Sequence, residues 1–463
     1  MFVSPILRRA ALVAGLSLLA GAAAAQPADD ANDAPAPAGV WAREQLLGDP
    51  GGLRSRLEAA GVTLGVQDTN EVWSNLRGGL RTGTVYLGQT QMTLKVDTGR
   101  AGLWQGGTFY ASAYQIRGTG PSAQLVGNLQ TVSGIEATRS IRLYDLWYEQ
   151  ALADGRLSVR IGQMGADEEF IVSTYGAVFL NSSFGFPALA AVDLPSGGPA
   201  YPLATPGVRV KFRPTDALTV LAAVFNGNPA GAGAGDPQAR DASGTALRVG
   251  DGALAFFEAQ YALNQGEGAE GLPGTYRVGA WYNSLSFPSQ RSASNGVSLA
   301  SPGSNGIPRG LHGNYSLYAV ADQMVWRKPG TKDEGIGLFA RVMGAPGDRN
   351  LSDFYVNGGA TWKGAIPGRA DDTIGLGVAY LRIGGAARGL DQDTALFSGA
   401  PFPVRSNETV IEATYQMQLA GWWQLQPDVQ YVMRPGGKVP NPNNPAQVLK
   451  NAVVIGLRSV VTF

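Results

Sequence analysis

Cysteine is absent from this 463-residue chain, and histidine occurs once, at His312. The first absence removes disulfides, thiol nucleophiles and thiolate-bound metals. The second leaves no histidine cluster for a metal and a single imidazole for acid–base work. That imidazole lies in a Gly-rich stretch and reads as a polar loop residue between strands. No cofactor and no metal is expected. Charge is scarce as well, at 16% of residues, and it favours neither sign, with 36 basic and 36 acidic side chains. Such a balance gives no reason to expect nucleic acid as a partner. Beyond the amino terminus no window reaches the run of about 18 apolar residues that marks a spanning helix, which excludes a helical membrane protein.

The amino terminus has the three parts of a secretory signal. Arg8 and Arg9 supply the positive end, Ala10 to Ala20 form a short apolar core, and Ala23-Ala24-Ala25 is a small-residue cleavage site. Residues 1–25 are therefore expected to be removed, leaving Gln26 first and 34 basic against 36 acidic side chains. Residues 26–61 follow as an Ala-, Pro- and Asp-rich disordered leader and one short helix. In the run LRSRLEAAG, Leu53, Leu57 and Ala60 share a face and Gly61 serves as C-cap. This helix is expected on the periplasmic side.

From Val62 the hydrophobic period changes to two. Strands are expected near 62–73, 85–97, 106–116, 141–150, 155–163, 207–213, 217–226 and 252–263. More follow near 274–285, 313–327, 333–344, 351–362, 372–383, 407–418, 421–434 and 450–463. Most approach the length of about 9–11 residues that crosses a bilayer at a tilt. The fold class is therefore all-β: a transmembrane antiparallel up-and-down β-barrel of about 16 strands spanning 62–463. Short connections such as 152–154 and 213–216 contrast with long Gly-, Pro-, Ser- and Asn-rich ones at 117–140, 164–206, 227–251, 286–312, 384–406 and 435–449. The short set suits periplasmic turns and the long set extracellular loops.

A spanning sheet must close on itself, with an apolar face to lipid and a polar face to the lumen. Val208, Val210 and Phe212 alternate with Arg209, Lys211 and Arg213. Each of those cations would cost about 2–4 kcal/mol facing lipid near the midplane, so they are expected in the lumen. Arg160 opposes Val159 and Ile161 in the same way. In the strand 141–150, Tyr144, Leu146 and Tyr148 form the lipid parity, and Asp145, Trp147 and Glu149 the lumen parity. In the final strand Val453, Ile455, Leu457, Val461 and Phe463 face lipid and Arg458 faces the lumen. Sixteen strands leave an aqueous channel rather than a filled core. Trp73, Trp104, Trp326, Trp362, Trp422 and Trp423 fall near strand ends, where an interfacial girdle places them. Trp147 instead lies mid-strand among charges. An aromatic face beside hydrogen-bonding groups suits the C–H face and hydroxyls of a sugar.

These runs together resemble the carbohydrate-selective porins, the OprB family. The resemblance rests on VWSNLRGG (72–79), RLYDLWYEQALADGRLSVRIGQ (142–163), DEEF (167–170), NSSFGFPAL (181–189) and DLPSGGPAYPLATPGVRVKFRPTD (193–216). It continues through LPGTYRVGAWY (272–282), YAVADQMVWR (318–327), GAPGDRN (344–350) and NAVVIGLRSVVTF (451–463). It implies a sixteen-stranded outer-membrane porin for passive diffusion of glucose and related monosaccharides. It also implies that 164–206 folds into the lumen, where Asp167, Glu168 and Glu169 could line a constriction. Loops 286–312 and 384–406 carry no run of the family. The candidate substrate-binding residues are thus Asp145, Trp147, Glu149, Arg160, Asp167, Glu168, Arg209 and Lys211, with no catalytic residue. Expected partners are translocated carbohydrates, outer-membrane lipid and lipopolysaccharide, and the barrel-assembly machinery through the strand ending at Phe463. A monomer and a homotrimer are both allowed. Two other readings compete. A general or anion-preferring diffusion porin is kept open by the cations at 209, 211 and 213. A barrel enzyme would need a positioned base, and His312 is the only imidazole.

Overall fold

A computed structural model of the chain describes residues 39–463 apart from Glu267 and Asn443. The expected signal, and the leader as far as residue 38, lie outside the described residues. A short helix, α1 (Leu53–Ala59), precedes the sheet. The first eight strands are β1 (Val62–Gly79), β2 (Gly83–Asp97), β3 (Gly107–Gly118), β4 (Ser140–Leu152), β5 (Leu157–Met164), β6 (Thr205–Phe212), β7 (Leu218–Asn226) and β8 (Ala253–Leu263). Next come β9 (Gly274–Ala293), β10 (Pro308–Arg327), β11 (Gly335–Gly344), β12 (Ser352–Lys363), β13 (Thr373–Ile383), β14 (Asn407–Ala420) and β15 (Trp423–Met433). A small hairpin, β16 (Pro440–Asn441) and β17 (Asn444–Val448), is followed by β18 (Lys450–Thr462).

Sixteen of these strands close into one barrel in which β18 pairs antiparallel with both β15 and β1. Closure satisfies every ladder and leaves no free edge in lipid. The alternation works as the period-two pattern requires. In β11, Phe339, Arg341 and Met343 are buried inward while Leu338 and Val342 are exposed outward. In β18, Arg458 turns inward and Ile455 and Leu457 outward.

Two residues depart from their expected faces. Ala111 pairs with Leu146 but Ala113 pairs with Leu143, so Tyr144 and Asp145 together oppose Ser112. This bulge re-aims the bulged strand. Tyr144 and Asp145 are both buried inside, and Tyr144 is not on the lipid face. Trp73 is not in a girdle either. It is fully buried in the lumen, and its Nε1 donates to Glu71 Oε2 at 2.6 Å. Its ring lies over Gly456, where an added Cβ would meet it at 2.4 Å. Trp104, Trp326 and Trp362 remain exposed on the outer wall, and Trp422 stacks on Trp423 at 5.8 Å beside Trp41.

The lumen is not an open polar tube. Phe170, Phe179, Phe184 and Leu189 of the segment 165–204 pack against Phe225 and Tyr355 of the wall. A second cluster sets Leu125, Val126 and Val132 of the segment 119–139 against Val410, Val432 and Val454. The segment 119–139, expected as an extracellular loop, thus also turns inward. The connection 384–406 contains a helix, Gly385–Ser398, which its glycines and aspartates gave no reason to expect. Tertiary ion pairs hold it: Arg405 to Asp391 and Arg291 to Asp393, each at 2.8 Å. Strands β9 and β10 are 20 residues long and run beyond their expected bounds, so His312 is an exposed residue of β10 rather than of a loop.

Candidate functional site

The wall's charges first serve to fasten the infolded segments. Arg341 is buried without an acidic partner among the described residues. Its guanidinium donates to the carbonyls of Ile171 (2.9 Å), Gly185 (2.6 Å), Ser183 (3.2 Å) and Phe184. Carboxylates grip from other strands by accepting backbone N–H groups. Glu412 accepts from Leu180 (2.5 Å) and Asn181 (3.0 Å), and Glu258 accepts from Ile171 (2.8 Å). Asp322 takes Ser173 Oγ (2.6 Å) and the Thr174 N–H (3.1 Å) while paired to Arg277 at 2.8 Å. Glu408 accepts from Leu129 and Gln130 of the other segment and from Gly436. Each contact meets a buried polar group that would be costly to leave unpaired, so together they lock both segments to the wall.

The expected site residues gather on β3 to β6 and the start of the segment 165–204. Tyr110 of β3 stacks on Trp147 of β4 with centroids 4.9 Å apart, and the Arg160 guanidinium of β5 lies 3.8 Å from the same ring. Tyr110 and Arg160 come from the strands on either side, so Trp147 is sandwiched between them. Its faces are occupied, and it holds Arg160 in place rather than offering a free ring to a sugar. Arg160 also pairs with Glu149 at 2.8 Å, Glu169 at 3.2 Å and Glu168 at 3.8 Å. Arg209 pairs with Glu149 at 2.9 Å and Glu169 at 2.6 Å, and donates to Ser158 Oγ at 2.7 Å.

The remaining members divide. Asp145 accepts from Ser112 Oγ at 2.6 Å beneath this network. Asp167 is buried and accepts from Tyr144 OH at 2.8 Å and the Tyr201 N–H at 3.0 Å, so it anchors the segment. Lys211 shares the inward parity but makes no ion pair among the described residues. Glu168, with 27% of its side chain exposed, is more open than Glu149, Arg160, Glu169 or Arg209. Tyr110 was missed by sequence reasoning. Its signal was present, since it shares parity with Tyr114 and opposes Phe109, but no charge marked it. Ser158 and Ser112 carried no signal at all. Among the described residues no group of three acids or histidines is arranged to hold a metal.

The balance of this ring has a chemical meaning. Three carboxylates surround two guanidinium groups, so neither sign of solute meets a bare field. Planar forks and carboxylate oxygens offer donors and acceptors side by side, as polyol hydroxyls require.

The sequence and the fold are shared with known proteins. The model of the carbohydrate-selective porin, OprB family, matches residues 81–463. Porin B of Pseudomonas aeruginosa is 26% identical over 493 residues, covering all of both chains. The putative porin QuiX of Acinetobacter baylyi is 23% identical, covering 85% of this chain and 89% of that one. Among solved structures, the high-pH structure of Pseudomonas putida OprB superposes with a TM-score of 0.81 at 24% identity. It covers 91% of this chain and 99% of that one.

Proposed function

The chain belongs to the carbohydrate-selective porin family, OprB, and is a sugar-selective outer-membrane porin; on that footing we propose that its constriction passes glucose and related monosaccharides by passive diffusion. The observation that carries this reading is the ion-paired ring of Glu149, Arg160, Glu168, Glu169 and Arg209 held against Trp147. Arg160 and Glu168 face the passage and exchange hydrogen bonds with successive hydroxyls. Trp147 keeps the guanidinium oriented, so little ordering remains when a sugar arrives. Multiple weak contacts of this kind let a solute enter and leave.

Liposome swelling tests the reading: purified protein should admit monosaccharides faster than amino acids of similar size. Swelling in sugar no faster than in protein-free vesicles would refute it. Trp147→Ala should lower saturable sugar flux while leaving or raising ion conductance. Lys211, which makes no ion pair among the described residues, favours a second reading, an anion-preferring pore, and reversal potentials in a salt gradient decide it.

We also infer that residues 1–25 are removed on export, which amino-terminal sequencing of the membrane-inserted protein would show as a start at Gln26. The strand ending at Phe463 is proposed as the contact with the assembly machinery.

A further inference from the structure

The hairpin β5–β6 stacks cations on its lumen face from the constriction down to the short turns 152–154 and 213–216. Val208, Val210 and Phe212 are exposed outward, so Arg209, Lys211 and Arg213 share the inward parity of β6. Arg160 is paired directly with Arg209, and Ser158 with Lys211 on the next inward rung. The last rung sets Arg156 opposite Arg213, whose N–H donates to the Arg156 carbonyl at 2.8 Å.

These rungs differ in what answers their charge. Arg160 and Arg209 are enclosed by Glu149 and Glu169. Arg156, Lys211 and Arg213 make no ion pair among the described residues. The inward positions beside them supply no acid, since Ala151 of β4 is opposite Ser158 and Leu221 of β7 is opposite Lys211. Asp154 and Asp216 of the adjoining turns are exposed and pair with none of the three. Like charges placed directly opposite on one sheet face are destabilising, and low-dielectric walls focus their field into the lumen. Spanning the bilayer does not require them, because Thr63, Gln260 and Gln424 fill inward positions near the same end without charge. The arrangement costs stability and leaves a concentrated positive field at the exit.

We propose that Arg156, Lys211 and Arg213 form a binding site for a small oxyanion, a phosphate or a carboxylate, at the periplasmic exit of the pore. Two guanidinium forks match the paired oxygens of either group, and the ammonium adds a point charge beside them. Headgroup phosphates lie on the other side of the wall, where Phe212 and Val210 face lipid. The ligand therefore comes from the periplasmic water or rides on an acidic solute passing down the lumen. An anion held there narrows the exit and retards a following anion, whatever neutral solute the ring above admits.

Single-channel recording in potassium chloride tests the site, with inorganic phosphate as the probe. The chain has no cysteine of its own, so a bulky impermeant maleimide on Asn305→Cys, in the β9–β10 tip, marks the extracellular side of each inserted channel. Phosphate on the periplasmic side should reduce the current saturably, and at lower concentration than phosphate on the extracellular side. Arg156→Gln with Arg213→Gln should raise the half-blocking concentration by about tenfold or more, the effect of losing one charge-assisted contact. Lys95, another inward cation without an ion pair among the described residues, stands on β2, four strands from β6. Lys95→Gln should leave the block unchanged. Open-channel current before phosphate is added shows that each variant has folded and inserted. No saturable block, equal block from both sides, a block that survives the paired change, or an equal loss in Lys95→Gln would each overturn the proposal.

Discussion

Replacing Arg341 by Leu tests the claim that wall charges hold the infolded segment. The guanidinium donates to four carbonyls between Ile171 and Gly185 and to Asn357 Oδ1 at 3.2 Å. Hydrogen bonds to a charged group contribute about 1.5–3 kcal/mol each, and Nη1 and Nη2 carry two N–H donors apiece, one for each of the four carbonyls. That is a gross loss of about 6–12 kcal/mol. Against it stands the desolvation of a cation with no acidic partner among the described residues, an effective cost of several kcal/mol that the substitution removes. The carbonyls, however, remain buried and unpaired after the change, at about 1–3 kcal/mol apiece wherever lumen water cannot reach them. The net expectation is a weakening of docking by about 3 kcal/mol, roughly two decades in the docked-to-released ratio. Single-channel recordings should then show higher and noisier conductance. Limited proteolysis should gain cuts between residues 171 and 185 while the barrel stays intact. Conductance and cleavage identical to the parent would refute the assignment of Arg341 as the fastening point.

Other outcomes follow from the same structure. Gly337→Leu would drive a side chain into the Tyr175 ring, which an added Cβ already meets at 2.1 Å, and should displace the turn 173–176 and raise conductance. Burial pushes the Glu136 carboxyl up to about 7, while hydrogen bonds from Ser122 and the Ser133 N–H pull the other way. An acid raised in the folded state favours that state in its protonated form. Docking of the segment 119–139 should therefore weaken as pH rises from about 4.5 towards 7, and Glu136→Gln should flatten the pH profile of hydrogen exchange there. Glu71→Ala leaves buried Arg458 without its 2.5 Å partner and should lower unfolding stability by about 3–5 kcal/mol, read by urea titration of the folded barrel. Deleting Phe463 should cut the amount of inserted protein and leave single-channel conductance unchanged.

Strands were legible because lipid and closure impose a period of two that few other constraints disturb. The parity of Arg160, Trp147, Glu149 and Arg209 could be read directly, and these residues do meet in space. Tyr144 was misassigned because a bulge is a property of the pair β3–β4, and no single strand encodes it. Trp73 was misassigned because β1 was expected to stop there but runs on to Gly79, which sets the ring mid-strand across from Gly456. The inner face also held more than polarity. Val410, Val432 and Val454 are apolar where inward segments cover them, and a strand cannot announce what a distant segment will bring. The charges of β10, β11 and β14 are spent on backbone N–H and carbonyl groups of the infolded segments, which the alternation of those strands alone does not state. The helix Gly385–Ser398 was illegible because Arg291 and Arg405, both outside it, stabilise it.

The barrel's seam sets an order in time. Leu46 donates to the Thr462 carbonyl, Phe463 donates to the Val66 carbonyl, and Arg54 donates to the Phe463 carbonyl at 3.1 Å. Residues made early thus find some of their partners only in a strand made much later, and β1 keeps one edge unsatisfied until β18 arrives. Such an edge is a template for wrong pairing. The chain must therefore travel unpaired and shielded, and its final act of folding joins its two most distant strands.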